Sequence, residues 1–323
     1  MSLLGHEPDN LSPLIGHSSA MREVFALIRQ VSHIRVNVVI YGNKGTEKEL
    51  VAKAIHNCSP RADKPFLDID CTGVAENVLE SELFGHERST LQASKAVNRG
   101  LLETSNGGTL FLDAIGDMPL TVQRQFTQVI ESRRFRRIGG TQDIPVDVRI
   151  IAGTNRDLKK AVAEAAFRED LYYSLNVVPI TLPDLKDRQE DIPLLANQFV
   201  QKFAQELNTA IHGISKEAMT ILLSYSWPGN LRELENVIER AIAMGGGPTI
   251  QPSDLPSDLT TRAGPVEKAL TEEATLEDLE REYIVAVLRR TRWHQVRAAA
   301  ILGIDRRTLY RKIRQYDLKP TEE

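Results

Sequence analysis

At 323 residues the chain exceeds what one hydrophobic core ordinarily supports, roughly 250–300 residues, so two or three domains are expected. With 41% hydrophobic and 26% charged residues it reads as neither disordered nor membrane-embedded. No run of about 18 apolar residues occurs and MSLLGHEPDN has no apolar core of a leader, so a cytoplasmic protein is expected. Cys58 and Cys71 stand singly, outside any CxxC or metal-ligand spacing, and read as reduced. The net charge of −4 hides an asymmetry: Thr291–Lys319 carries eight Arg and Lys against Asp305 and Asp317, a local +6 on a body of −10. A basic terminal segment on an acidic body implies a polyanionic partner for that segment.

In chain order, residues 1–12 read as a polar tail. Short apolar runs at Val36–Tyr41, Pro65–Asp70, Thr109–Asp113, Val148–Gly153 and Val177–Leu182 read as strands. Between them Ser19–Ser32, Glu47–His56, Glu76–Phe84 and Pro119–Ser132 read as helices. That alternation predicts an α/β unit, a parallel sheet covered by helices. Residues 188–245 read as helical, interrupted at Gly213 and at Trp227-Pro228-Gly229, with Trp227 packing inside. A stretch rich in Pro, Ser, Thr and Asp up to Thr271 reads as a linker.

The last block begins at Thr275, a candidate N-cap for a helix with Leu276, Leu279, Tyr283, Ile284, Val287 and Leu288 on its apolar face. A second helix is expected over Gln295–Leu302, with Ala298, Ala299 and Leu302 packing inward and Gly303 ending it. Asp305 can cap a third, Arg306–Arg314, with Leu309 and Ile313 inward. Helix, glycine turn and cation-rich helix form the helix-turn-helix pattern, whose last helix lays its first turns in the major groove. RAAAILGIDRRTLYRKIRQYDL resembles the Fis-type helix-turn-helix that ends bacterial enhancer-binding proteins. The resemblance implies double-stranded DNA as partner, with Arg306, Thr308 and Arg311 near bases and Arg307 and Lys312 on the backbone.

Gly42–Glu49, GNKGTEKE, follows a strand and opens a helix, the layout of a phosphate-binding loop. Gly42 and Lys48 fit the GxxxxGK pattern, but Glu47 stands at the second glycine. Collinear segments follow: ESELFGHE, GGTLFLDAIGDMP, RRIGG, VDVRIIAGTNRDL, FREDLYYSLNV and WPGNLRELENVIERA. Together with the loop they resemble the AAA+ domain of the sigma-54 activator family. The resemblance implies an AAA+ α/β subdomain at 13–182, a helical lid at 183–250, a linker at 251–272 and the helix-turn-helix domain at 273–323. It also implies ATP or ADP as ligand, held by Gly42, Gly45, Thr46, Lys48, Glu49, Asp113, Asn155 and Arg232, with Asp113 supporting Mg²⁺. A cyclic dinucleotide is a further candidate effector, since some members of the family bind one.

Several working groups of that family are replaced. Ala114 follows Asp113 where a glutamate polarises the attacking water, and loss of such a base typically costs about 10²–10⁴-fold. Arg168 matches one arginine finger, but the second position holds Ser174; fingers can be worth about 10³–10⁵. A carboxylate at 47, about 5 Å from a phosphate charge, costs about 3 kcal/mol at an effective dielectric of about 20, and Lys44 offers an offsetting charge. Ser89–Ser94 stands where the family carries the Gly-Ala-Phe-Thr-Gly-Ala loop that touches sigma-54. No sensory domain precedes Leu14, as in a short-form regulator or a piece of a longer one. The expected function is therefore a sequence-specific transcription regulator, dimeric or hexameric, that binds nucleotide without hydrolysing it. Two alternatives stand beside it: an active ATP-dependent activator of sigma-54 RNA polymerase holoenzyme, and a non-catalytic partner subunit of an active paralogue.

Overall fold

The computed structural model describes residues 14–87, 98–260, 275–291, 293–316 and 318. The expected polar tail, the Ser89–Ser94 segment and most of the linker fall outside these residues. The described residues divide into two compact units. The first runs through Ile214 and includes Ser226–Ile250; the second combines Ser215–Tyr225 with the described residues from Gln251 onward.

The first unit is built on five parallel strands: β1 (Val38–Tyr41), β2 (Phe66–Asp70), β3 (Thr109–Asp113), β4 (Arg149–Thr154) and β5 (Val178–Thr181). Their order in the sheet is β2-β3-β4-β1-β5. Val38 is level with Ile151 on one side and Val178 on the other, and Asp70 with Asp113. β4 is buried along its whole length and β1 nearly so, which explains their continuous apolar sequences. β2 alternates because it is an edge strand. Helices α1 (Ser19–Ser32) and α2 (Lys48–Asn57) cover one face, sharing a core of Ile28, Val38, Ile40, Ile55, Phe111 and Ile151. Helices α3 (Glu76–Phe84), α4 (Leu120–Ser132) and α5 (Glu169–Leu175) pack on a second core around Leu83, Leu110, Leu112, Phe126 and Leu171. The strand and helix expectations hold to within two residues.

The sequence read as helical from 188 to 245 forms α6 (Ile192–Glu206), α7 (Lys216–Ser224) and α8 (Asn230–Met244). Its breaks fall where expected, and Trp227 is buried with a left-handed backbone (φ +47°). Among the described residues three two-residue strand pairs were not expected, one of which joins Arg134–Phe135 antiparallel to Ile144–Pro145. Gly213–Ile214 pairs in parallel with Thr249–Ile250, and Gly85–His86 pairs antiparallel with Asn98–Arg99. Two-residue strands carry no periodicity to read.

In the second unit α9 (Leu276–Arg290), α10 (Gln295–Leu302) and α11 (Arg306–Gln315) follow the expected boundaries. Thr275 and Asp278 cap α9 reciprocally: the Asp278 N–H donates to Thr275 Oγ1 at 3.3 Å and the Thr275 N–H to Asp278 Oδ2 at 3.1 Å. Gly303 ends α10 in the left-handed region (φ +67°), where a side chain is strained. Ile284, Val287, Leu288, Ala298, Ala299 and Leu309 make the small core. Tyr283, expected on the apolar face of α9, is instead 51% exposed. The neighbouring Ile284 takes the inward position, because two consecutive residues of a helix lie about 100° apart. Cys58 and Cys71 are free thiols, and no helix among the described residues is long and apolar enough to cross a membrane.

Candidate nucleotide site and DNA-facing helix

Parallel α/β sheets bind ligands beyond the carboxyl ends of their strands. Here that edge gathers the Gly42–Glu47 loop after β1, Asp113 at the end of β3, and Asn155 just after β4. The loop is fixed by its neighbours: the Gly42 N–H donates to the Thr154 carbonyl at 3.0 Å, and the Leu182 N–H donates to the Tyr41 carbonyl at 2.7 Å. Within the loop Thr46 Oγ1 donates to the Asn43 carbonyl at 2.8 Å. Lys48 Nζ donates to the carbonyls of Gly42 and Asn43 at 3.2 and 3.4 Å. The ammonium therefore sits over the loop, in reach of an anion cradled there.

Gly45 has φ +78°, and a Cβ at this position would come within 2.1 Å of the Gly229 carbonyl oxygen. That close approach, together with the conformation, is what demands glycine. Its carbonyl accepts the Leu231 N–H at 3.0 Å, while Asn230 Nδ2 donates to the Lys44 carbonyl at 3.1 Å. Asn230 Oδ1 in turn accepts the Leu185 N–H at 2.7 Å. The loop and the first turn of α8 are thus hydrogen-bonded together, and Arg232 lies in that turn with its Cβ 3.3 Å from the Cβ position built on Gly45. Glu49 stands apart from this cluster: exposed, it pairs with Lys53 one turn along α2.

Glu47 takes the left-handed conformation of the glycine it replaces (φ +61°), a geometry that costs an ordinary residue about 1–2 kcal/mol. Burial pushes its carboxyl above the ordinary value, the Arg188 guanidinium pulls it back and Glu235 adds to the rise. Burial lowers the Arg188 guanidinium, and Glu47, Asp191 and Asp184 act the other way. The cation answering Glu47 is therefore the buried Arg188, whereas Lys44 is exposed. Sequence reasoning missed Arg188. Its signal was an arginine within the polar LKDRQED stretch between Leu185 and Ile192.

Asp113 Oδ1 accepts the N–H of Ala114, its own neighbour, at 2.8 Å. Ala114 is itself left-handed (φ +50°), so its methyl group holds the position where a side-chain carboxylate would begin. A cavity of about 680 Å³ beyond β1, β4 and β5 is lined by Gly42, Asn43, Asn155, Asp157, Tyr172 and Asp184, among others. Burial, with Tyr172 and Asp157 adding, pushes the Tyr41 phenol up to about 12, so it is a neutral donor, directed at Asn176 Oδ1 at 3.2 Å. Arg168 lies outside this cluster, half-exposed and paired with Asp170 at 2.6 Å. Ser174 Oγ donates back to the Asp170 carbonyl at 2.9 Å. Among the described residues no three His, Cys, Asp or Glu side chains converge as a metal site.

On α11, Asp305 accepts the N–H groups of Arg307 and Thr308 at 2.6 and 3.2 Å, so its charge is spent on the cap. Arg306, Arg307 and Arg311 are exposed, and Thr308 is half-buried. Lys312 differs from them: Nζ donates to Glu280 Oε2 at 2.6 Å on α9 and lies 3.4 Å from Tyr316 Oη.

A five-stranded P-loop sheet of AAA+ type, a helical lid and a terminal helix-turn-helix define the class of protein. The sigma-54 interaction domain matches residues 14–181, the AAA+ ATPase lid domain 186–272, and the Fis-family bacterial regulatory protein domain 275–316. The chain belongs to the sigma-54-interacting family of bacterial transcriptional regulators. It is 44% identical to the regulatory protein AtoC of Escherichia coli K12, over 96% of this chain and 68% of AtoC. It is also 44% identical to the transcriptional regulatory protein ZraR of Salmonella typhimurium, over 93% of this chain and 68% of ZraR. Among solved structures, NtrX from Brucella abortus in complex with ADP matches with a TM-score of 0.73 at 35% identity, over 95% of this chain and 70% of NtrX. The ATP complex of the same protein also gives 0.73.

Proposed function

We propose that this chain is a sequence-specific DNA-binding regulator whose AAA+ body binds ATP or ADP but does not turn ATP over, and which acts without remodelling sigma-54 polymerase. Ala114 carries this reading: it follows Asp113 at the end of β3, and a methyl group cannot orient or deprotonate a water. Ser174 and Glu47 act in the same direction, the first by withholding a cation from developing phosphate charge, the second by placing a carboxylate in the loop. Nucleotide binding is supported by Lys48 over the loop carbonyls and by the likeness to a protein solved with ADP and with ATP. In this reading Asp113 holds Mg²⁺, Asn155 and Arg232 face the phosphates, and the helix-turn-helix supplies the output through Arg306, Thr308 and Arg311.

The deciding experiment measures ATP binding and phosphate release by the purified protein with Mg²⁺. Binding without release supports the reading. Steady release, abolished by Lys48→Ala or Asp113→Ala, overturns it in favour of a working sigma-54 activator. One observation favours a second reading, a subunit that joins the ring of an active paralogue. Arg168 is half-exposed, and among the described residues its guanidinium pairs with Asp170, a surface contact it can exchange for a neighbour's nucleotide. Co-purification with such a paralogue, and loss of the mixed ring's ATPase on Arg168→Ala, would select it.

A further inference from the structure

The amino-terminal edge of the sheet, opposite the phosphate loop, carries a second cluster of charge. Residues leading into β1 and β4 meet the ends of α2 and α4 around a recess of about 310 Å³, at the lower limit of ligand pockets, roughly 300–1,000 Å³. Arg35, Arg61, Arg133 and Arg149 line it, and Asp147 is the one carboxylate among the lining residues. Asp147 is committed to Arg61, whose Nη2 donates to Oδ1 at 2.7 Å while Nη1 donates to the Asp147 carbonyl at 2.8 Å. Arg61 holds the Asp147 carboxyl below its ordinary value despite partial burial, and Arg35 and Arg133 add to that effect.

Arg149 forms the base. It is 6% exposed and donates through Nη1 and Nη2 to the Ser32 and Val31 carbonyls at the end of α1, at 3.1 and 2.7 Å. Its Nε–H is buried without a hydrogen-bond partner among the described residues. Burial, with the charge of Arg61 adding, lowers the guanidinium to about 10. Arg133 is pinned from its backbone: its N–H donates to the Val129 carbonyl and its own carbonyl accepts the Val146 N–H, both at 2.9 Å. The lining holds four guanidiniums and one carboxylate, a net +3, a buried donor is unspent, and the fold draws these groups from four separate segments of the chain. Guanidinium clusters of this kind match the planar, bidentate geometry of phosphate oxygens.

We propose that this recess is a second anion site, which binds a compact oligophosphate between Arg35, Arg61, Arg133 and Arg149, independently of the nucleotide loop. The site is too small for a duplex or a protein segment. Its position at the opposite end of the strands separates it from Lys48 by the length of the sheet.

The test titrates inorganic pyrophosphate into the full chain carrying Lys48→Ala, which removes anion binding at the loop, by calorimetry and by thermal shift. Pyrophosphate is expected to bind and to raise the melting temperature. Adding Arg35→Ala with Arg133→Ala is expected to weaken it at least tenfold. Both residues are exposed, and the Arg133 head gives up one long bond, from Nη1 to the Val148 carbonyl at 3.3 Å, so the fold is expected to survive, as an unchanged melting temperature without ligand checks. In the background that keeps Lys48, the same pair is expected to leave ADP affinity unchanged. Pyrophosphate affinity that ignores Arg35 and Arg133, or no binding in the Lys48→Ala chain, overturns the proposal. Displacement of bound pyrophosphate by short duplex DNA would overturn the assignment to a compact anion.

Discussion

The Gly45 carbonyl accepts the Leu231 N–H at 3.0 Å, so the turn of the phosphate loop and the first turn of α8 share a hydrogen bond. Because a Cβ on Gly45 would come within 2.1 Å of the Gly229 oxygen, the two segments cannot keep their spacing around any larger residue. Gly45→Ala is expected to destabilise the first unit by about 2–4 kcal/mol, from left-handed strain and overpacking together. Urea unfolding followed through the buried Trp227 measures it. A loss below about 1 kcal/mol would mean that the loop and α8 separate freely.

Glu47 gives a pH dependence with a definite sign. Burial raises its carboxyl in the folded state, so the native protein holds that proton at pH values where the unfolded chain has released it. Stability should therefore fall as pH rises from the ordinary carboxylate range through the raised value. Glu47→Gln should remove that segment of the profile. ADP affinity should likewise improve as pH falls through the same window in the parent protein and be flat in Glu47→Gln.

Restoring the missing groups should restore chemistry in order. Ala114→Glu alone is expected to raise ATP hydrolysis by about 10²-fold at most. Combined with Glu47→Gly and Ser174→Arg, it should exceed Ala114→Glu alone by more than tenfold, because the groups act on one transition state. Phosphate release by the two variants, compared with that of the parent, checks the order.

Asp191 fixes the entry of the chain into the first unit. Wholly buried, it accepts the N–H groups of His17 and Ser18 at 2.7 and 2.9 Å and the Ser18 hydroxyl at 2.7 Å. Asp191→Ala strands buried donors and should cost about 2–4 kcal/mol; Ser18→Ala, which removes the hydroxyl's bond to Asp191 and its cap on the Met21 N–H, should cost about 1–2 kcal/mol. Denaturation midpoints of the two variants order them.

On α11, Arg306→Ala should cost about 1–3 kcal/mol of specific DNA affinity and relax selectivity at one base pair. Lys312→Ala should cost less affinity, because its ammonium already serves Glu280 and Tyr316. Footprints and titrations on one operator compare them, and a larger loss for Lys312 than for Arg306 would reverse the assignment.

Periodicity and turn chemistry made the sheet, the first four long helices and the three terminal helices legible, because each has a local signature: β-branched runs, Thr275, Gly303 and Asp305. Gly42 and Lys48 were legible from the spacing of the loop, and the other groups of the site only from the resemblance. What escaped was non-local. Arg188 lies far along the chain from Glu47, and nothing in either neighbourhood announces the other. Asn230 reads as the start of a helix, yet its side chain bridges Lys44 and Leu185. Lys312 reads as a cation for DNA until α9 brings Glu280 beside it.

The contact between Lys312 and Glu280 also changes how the basic tail should be counted. Arg314 differs: its guanidinium lies 5.5 Å from the centre of the Tyr310 ring, a contact that leaves its charge whole. Each phosphate that a protein neutralises on a duplex displaces condensed counterions, steepening the dependence of affinity on salt by about 0.9 per contact in logarithmic terms. A cation already answered inside its own domain releases no ions when the duplex arrives. The salt slope of operator binding should therefore report fewer charges than the eight written in the sequence, with the shortfall falling at the carboxyl end of α11 rather than at its amino-terminal start.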